Sequence, residues 1–170
     1  MNAELAALFE ADQNDRKQGT LSGHMAEAVA VRDRMRRERV ADMITAGDLQ
    51  SPEDYLQAAF IFQHGEQLED YWKAHELAKR AVELGHPEMR KARWMAAATY
   101  DRWLTNQGKP QKYGTQYWKD QNGWRLMDYD PTSTDEERAQ WGVPPLAEAL
   151  RRADELNQRD AAAKRSPPVG

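Results

Sequence analysis

The chain has no cysteine among its 170 residues. Disulfides, thiolate nucleophiles, iron–sulfur ligation and cysteine-based zinc sites are therefore excluded. Long apolar runs are missing too. No window approaches the roughly 20 apolar residues of a membrane span, and the opening "MNAELAALFEADQ" has neither the basic leader nor the apolar stretch of a signal peptide. The expectation is a cytoplasmic protein with no membrane partner. Nor is there an excess of positive charge: at a net −4, only a local basic patch could attract nucleic acid. The one such patch, "RDRMRRER" at 32–39, interleaves Asp33 and Glu38 with its arginines. It reads as a solvated helical face with local ion pairs, so no nucleic-acid partner is expected. A Gly-rich phosphate loop, a nucleophile elbow, a paired-carboxylate motif and a His-x-x-x-His ligand pair are all absent, and neither metal nor cofactor is expected.

What is there suits a folded domain. Hydrophobic residues make up 40% of the chain and charged ones 31%, with six Trp and six Tyr, a composition able to form a core. The length fits one domain, placed at 1–160, followed by a flexible tail over 161–170, "AAAKRSPPVG".

Helical periodicity dominates. Leu5, Leu8 and Phe9 share a face that continues through Asp12 to Arg16 before Gly19. A second helix over about 25–46 carries Met25, Val29, Val40, Met43 and Ile44 and stops at Gly47. Ser51, Pro52 and Asp54 supply an N-cap, a first-turn proline and a capping-box acid for a helix running to His64. Another begins near Glu69 and stops at Gly85, and Pro87 opens a further one towards Gly108. Thr134 with Glu137 is a second capping box, and Leu146, Leu150, Ala153 and Leu156 mark a final amphipathic helix. Between Pro110 and these last helices the pattern turns aromatic and β-prone around Asn122-Gly123, which predicts a hairpin over roughly 112–130. The expected fold is mainly α: a compact bundle of about six helices with a repeat-like helical hairpin and one small β-hairpin.

The chemistry-bearing residues fall where polar side chains interrupt apolar faces. Asp12 and Arg16 lie one turn apart on the face of Leu5 and Leu8, and a charge buried there needs a partner. Asp101 shares the face of Trp94, Ala97 and Leu104 and needs one too. His64 closes its helix, where the C-terminal dipole favours the imidazolium. "PQKYGTQ" at 110–116 gathers Gln111, Tyr113, Thr115 and Gln116 around Gly114 and predicts the closed end of a pocket, with Gln116 and Tyr113 more buried than Lys112 and Lys119.

With these residues in hand, the chain resembles a bacterial family known as domain of unknown function 6624. The resemblance rests on "DQNDR" (Asp12, Gln13, Arg16), "FQHG" (Gln63, His64), "YDR" (Asp101, Arg102), "QKYGTQ" and "ERAQWGVPPLAE", and spans about residues 5 to 150. It implies that the polar positions picked out by their chemistry also define the family pattern; it implies no activity.

Two functions follow from different classes. One is a metal-independent acid–base enzyme (hydrolase, lyase or cyclase) acting on a small molecule. In it His64 is general acid or base, Asp101 orients it, Arg16 or Arg102 holds an anionic group, and Tyr113, Thr115 and Gln116 donate to developing charge. Asp12, Gln13 and Gln111 complete its expected binding residues. The other is a non-catalytic module that binds a peptide or protein through Tyr113, Tyr117, Trp118 and Trp124.

Overall fold

The computed structural model describes residues 1–17 and 23–165. Among these it contains seven helices and one two-stranded sheet: α1 (Ala3–Lys17), α2 (His24–Ala46), α3 (Pro52–Phe62), α4 (Leu68–Glu83), α5 (Met89–Thr105), β1 (Tyr117–Asp120), β2 (Gly123–Leu126), α6 (Asp135–Gln140) and α7 (Leu146–Arg165). The mainly helical fold is as the periodicity predicts. Among the described residues, no helix is long and apolar enough to cross a membrane.

Local signals set most boundaries. Ser51 accepts from the Asp54 N–H while the Asp54 carboxylate accepts back from Ser51, and Thr134 and Glu137 do the same at α6. Gly47 ends α2 at φ 76°, a left-handed cap that glycine takes without strain. Other boundaries differ from expectation. α3 stops at Phe62, leaving His64 in the turn after it, and α7 runs to Arg165, so 161–165 are helical rather than tail. Gly19 and the rest of that tail, 166–170, lie outside the described residues.

α3, α4 and α5 form the centre, and small side chains let them approach closely. Ala58, Ala59, Ala74, Ala78, Ala81, Ala92 and Ala96 are all buried there, with Leu56, Ile61, Leu77 and Met95 filling the space between. α1 packs on α3 through Leu5, and α2 contributes Val40 and Met43 to the same core.

The strands are antiparallel, pairing Tyr117 with Leu126, Trp118 with Arg125 and Lys119 with Trp124. Side chains alternate across a strand, so the hairpin has two unlike faces. One docks on α7: Tyr117 Oη donates to the Ala149 carbonyl (3.0 Å), Trp124 Nε1 donates to Asp160 (3.0 Å), and Lys119 pairs with Asp160. The other carries Trp118 and Arg125 and is turned away from α7.

Candidate functional site

The residues singled out in the sequence separate into two clusters, one on each side of the turn after α3, with Arg102 between them.

The first lies where α1 crosses α2. Arg16 bridges three partners: its Nη1 lies 3.3 Å from Asp12 Oδ1, its Nη2 2.8 Å from Asp33 Oδ2, and its Nε donates to His64 Nε2 at 2.8 Å. Arg36, itself buried, donates to Asp33 Oδ1 (2.8 Å) and to Asp15, which Arg32 grips with two further bonds. Gln13 donates to Asp12 (2.8 Å). The basic patch of α2 is therefore only partly a solvated face: Asp33 and Arg36 point inward. Burial pushes the Asp12 carboxyl up to about 6 against the pull of Arg16, and hydrogen bonds from Arg32, reinforced by Arg36, hold Asp15 down at about 2.

His64 belongs to this cluster. Because an arginine N–H donates to its Nε2, that nitrogen is unprotonated and the ring proton sits on Nδ1. The expectation of an imidazolium at a helix end is reversed. Burial first, then the charges of Arg16, Arg102, Arg37 and Arg36, lower the pKa to about 3, outweighing a dipole effect of at most a few kcal/mol. Gly65 makes the position possible. A Cβ added there would lie 2.2 Å from Asp70 Cβ, so only glycine lets the α3–α4 turn close this tightly.

The second cluster is built on Asp101. Its Oδ1 accepts from the backbone N–H of Lys112 (2.7 Å) and Tyr113 (2.9 Å), and its Oδ2 from the N–H and hydroxyl of Thr115 (3.1 and 2.8 Å). Gly114, at φ 83°, turns the chain so that these donors converge. Four donors saturate the carboxylate, and Asp101 does not orient His64. Burial raises its pKa, opposed by the donors of Tyr113, Thr115 and Lys112.

Gln111, fully buried, is consumed in the same way. Its amide donates to the carbonyls of Gln116 and Met127 (both 3.0 Å) and accepts from the Gln116 N–H (2.7 Å), stapling the loop to the end of β2. Tyr113 is buried between the rings of Tyr100 and Trp141, 6.3 and 6.1 Å away. Underneath runs Arg138, buried, donating to the Tyr113 and Ser133 carbonyls. "PQKYGTQ" is polar mainly because it wraps a buried carboxylate. Tyr113 is buried as expected and Lys119 exposed, whereas Gln116 and Lys112 are both half-buried.

Arg102 and Gln116 join the two halves. Arg102 Nη1 donates to the Gln63 carbonyl at the end of α3 (2.8 Å), and its Nε donates to Gln116 Oε1 (3.2 Å). The Gln116 amide donates in turn to the Ala98 carbonyl and the Thr115 hydroxyl (both 3.0 Å). Among the described residues, no carboxylate pairs with Arg102 and its Nη2 donates to nothing. Burial lowers its pKa, opposed only by Tyr71.

Around this arginine lies an open cleft of about 520 Å³, walled by His64, Tyr71, Arg102, Gln116, Trp118 and Met127 among others, with no Asp or Glu on its walls. Asp12, Gln13, Arg16, Asp101, Gln111, Tyr113 and Thr115 do not line it. They form the structure behind it. Among the described residues, no three acidic or imidazole side chains converge as metal ligands. Tyr71 is a wall residue that nothing in the sequence singles out, and Trp118 lines the cleft rather than serving only as an expected peptide contact. Comparison of the chain with family models, with curated proteins and with solved structures gives no match.

Proposed function

We propose that the chain binds a small anionic molecule in the cleft at Arg102, as a ligand-binding protein. The observation that carries this reading is a half-buried guanidinium with no carboxylate partner, in a cleft without acids, within a chain that has 28 acidic residues against 24 lysines and arginines. A buried charge left unpaired costs several kcal/mol, a cost that an incoming phosphate or carboxylate would offset through the guanidinium fork. Neutral His64, with its proton on Nδ1, and the amide of Gln116 supply further polar groups at the wall.

Acid–base catalysis fits the cleft less well. His64 has its lone pair engaged by Arg16 and a pKa near 3, which makes it a poor general base at neutral pH, and Asp101 is occupied elsewhere. The peptide-module alternative is weakened by the scatter of its anchors. Tyr113 is buried, Tyr117 and Trp124 are held by α7, and only Trp118 is exposed.

A thermal-shift series with inorganic phosphate, sulfate, acetate and succinate at fixed ionic strength tests the proposal. A concentration-dependent rise in Tm is expected for the wild type and its loss in Arg102→Gln. Equal shifts in both proteins would overturn it.

A further inference from the structure

Resting on that reading, we infer that the anion carries a planar ring, bound so that its charged group reaches Arg102 while its ring lies on Trp118. Of the six tryptophans, Trp118 is the most exposed, at 54% against 38% for Trp72 and Trp94. No aromatic ring or cation covers its indole among the described residues, a trait it shares with the less exposed Trp94, whereas Trp72, Trp103, Trp124 and Trp141 all have such contacts. Single exposed apolar side chains are ordinary on a protein surface; what distinguishes Trp118 is that its free indole stands on the wall of the cleft that holds Arg102.

Its placement selects the ligand. Trp118 belongs to the cleft of Arg102 and also to an adjoining hollow of about 310 Å³, which shares Thr105, Trp118 and Met127 with that cleft. The indole therefore stands where the two spaces meet, with a thioether beside it. A free tryptophan face favours flat ring systems through offset stacking, and Met adapts to their edges. The hairpin fixes this orientation. With Tyr117, Lys119 and Trp124 committed to α7, strand alternation turns Trp118 to the opposite side. A phosphate or carboxylate alone would use Arg102 and leave the indole bare; a neutral ring would leave the guanidinium without its counter-charge. A ring-bearing anion such as a nucleoside monophosphate or an aryl carboxylate satisfies both.

Isothermal titration with adenosine 5′-monophosphate, ribose 5-phosphate, adenosine, indole-3-acetate and acetate separates the parts. At least one of the two ring-bearing anions should bind tenfold or more tightly than its ringless counterpart. That preference should disappear in Trp118→Ala and persist in Trp118→Phe, with circular dichroism confirming that both variants fold. If ribose 5-phosphate or acetate binds as tightly as its ring-bearing partner, and Trp118→Ala changes nothing, the ring is refuted while the anion site stands. If adenosine binds as well as its monophosphate and Arg102→Gln has no effect, the anion site is refuted. Binding by none of the five refutes both.

Discussion

At the residue scale, burial and pairing decide what each ionisable group can do, and His64 and Asp12 make this testable by pH. The folded His64 resists protonation down to about 3 while the unfolded residue titrates near 6.5, so the unfolded state takes up the extra proton and stability falls as pH drops through that window. Asp12 works the other way. Its pKa, raised from 3.8 to about 6, means the folded chain takes the proton first, which relieves a penalty present at neutral pH as pH falls through 6. The histidine shift is the larger, so Tm should decline from pH 6.5 towards 4.5. His64→Gln keeps an acceptor for Arg16 and removes the titration; its curve should be flatter, and its Tm should gain on the wild type as pH falls. Parallel curves would show that His64 is not the group responsible. Asp101→Asn is the other residue-scale case. Exchanging one acceptor oxygen for an NH₂ leaves donors of the 112–115 loop facing a donor, which should cost about 1–3 kcal/mol in chemical denaturation. That Asp12 and Asp101 are buried was legible, because both interrupt apolar helical faces. Their partners were not, because pairing depends on how helices cross. The sequence admitted a His64–Asp101 pair as readily as the His64–Arg16 and Asp101–loop contacts that form.

At the element scale, spacing carried more information than composition suggested. On α2 the buried positions Val29, Asp33, Arg36, Val40 and Met43 recur at intervals of four, three, four and three. Asp33 and Arg36 thus occupy the core stripe itself, and the density of charge around them hides this. The caps of α3 and α6 were legible because they are local in sequence, whereas Gln67 and Asp70 at the start of α4 were not singled out: Ser51→Ala should cost about 1 kcal/mol by loss of the bond to the Asp54 N–H. That a helix ends near His64 was legible, whereas the close contact made at Gly65 was not. Gly65→Ala puts a methyl into Asp70, whose carboxylate accepts from the N–H groups of Glu66 and Gln67 and lies 3.5 Å from Arg37 Nε. Overpacking of this kind should destabilise by about 1–3 kcal/mol, and because the same turn seats His64 it should also perturb the histidine ring resonances. A stable variant with unchanged resonances would mean the turn relaxes freely.

At the scale of the whole molecule, the cleft has walls from elements far apart in sequence: the end of α3, the faces of α4 and α5, and the outer side of the hairpin. A two-stranded hairpin is marginal alone, so its position depends on what holds it. Two anchors compete. On the helix side, Gln111 staples Gln116 and Met127; on the far side, Asn157 of α7 accepts from the Trp124 N–H (2.7 Å) and donates to its carbonyl (2.9 Å). The second anchor is close-fitting, since a Cβ on Gly123 would fall 2.4 Å from Asn157 Oδ1. Asn157 lies outside the cleft, yet its loss frees the strand that carries Trp118. Asn157→Ala should therefore cost about 1–3 kcal/mol in stability, speed amide exchange at Trp124, and weaken binding of a ring-bearing anion more than that of acetate. If exchange quickens while anion affinity stays at the wild-type level, Gln111 alone positions the wall and α7 serves only to cover the hairpin's other face.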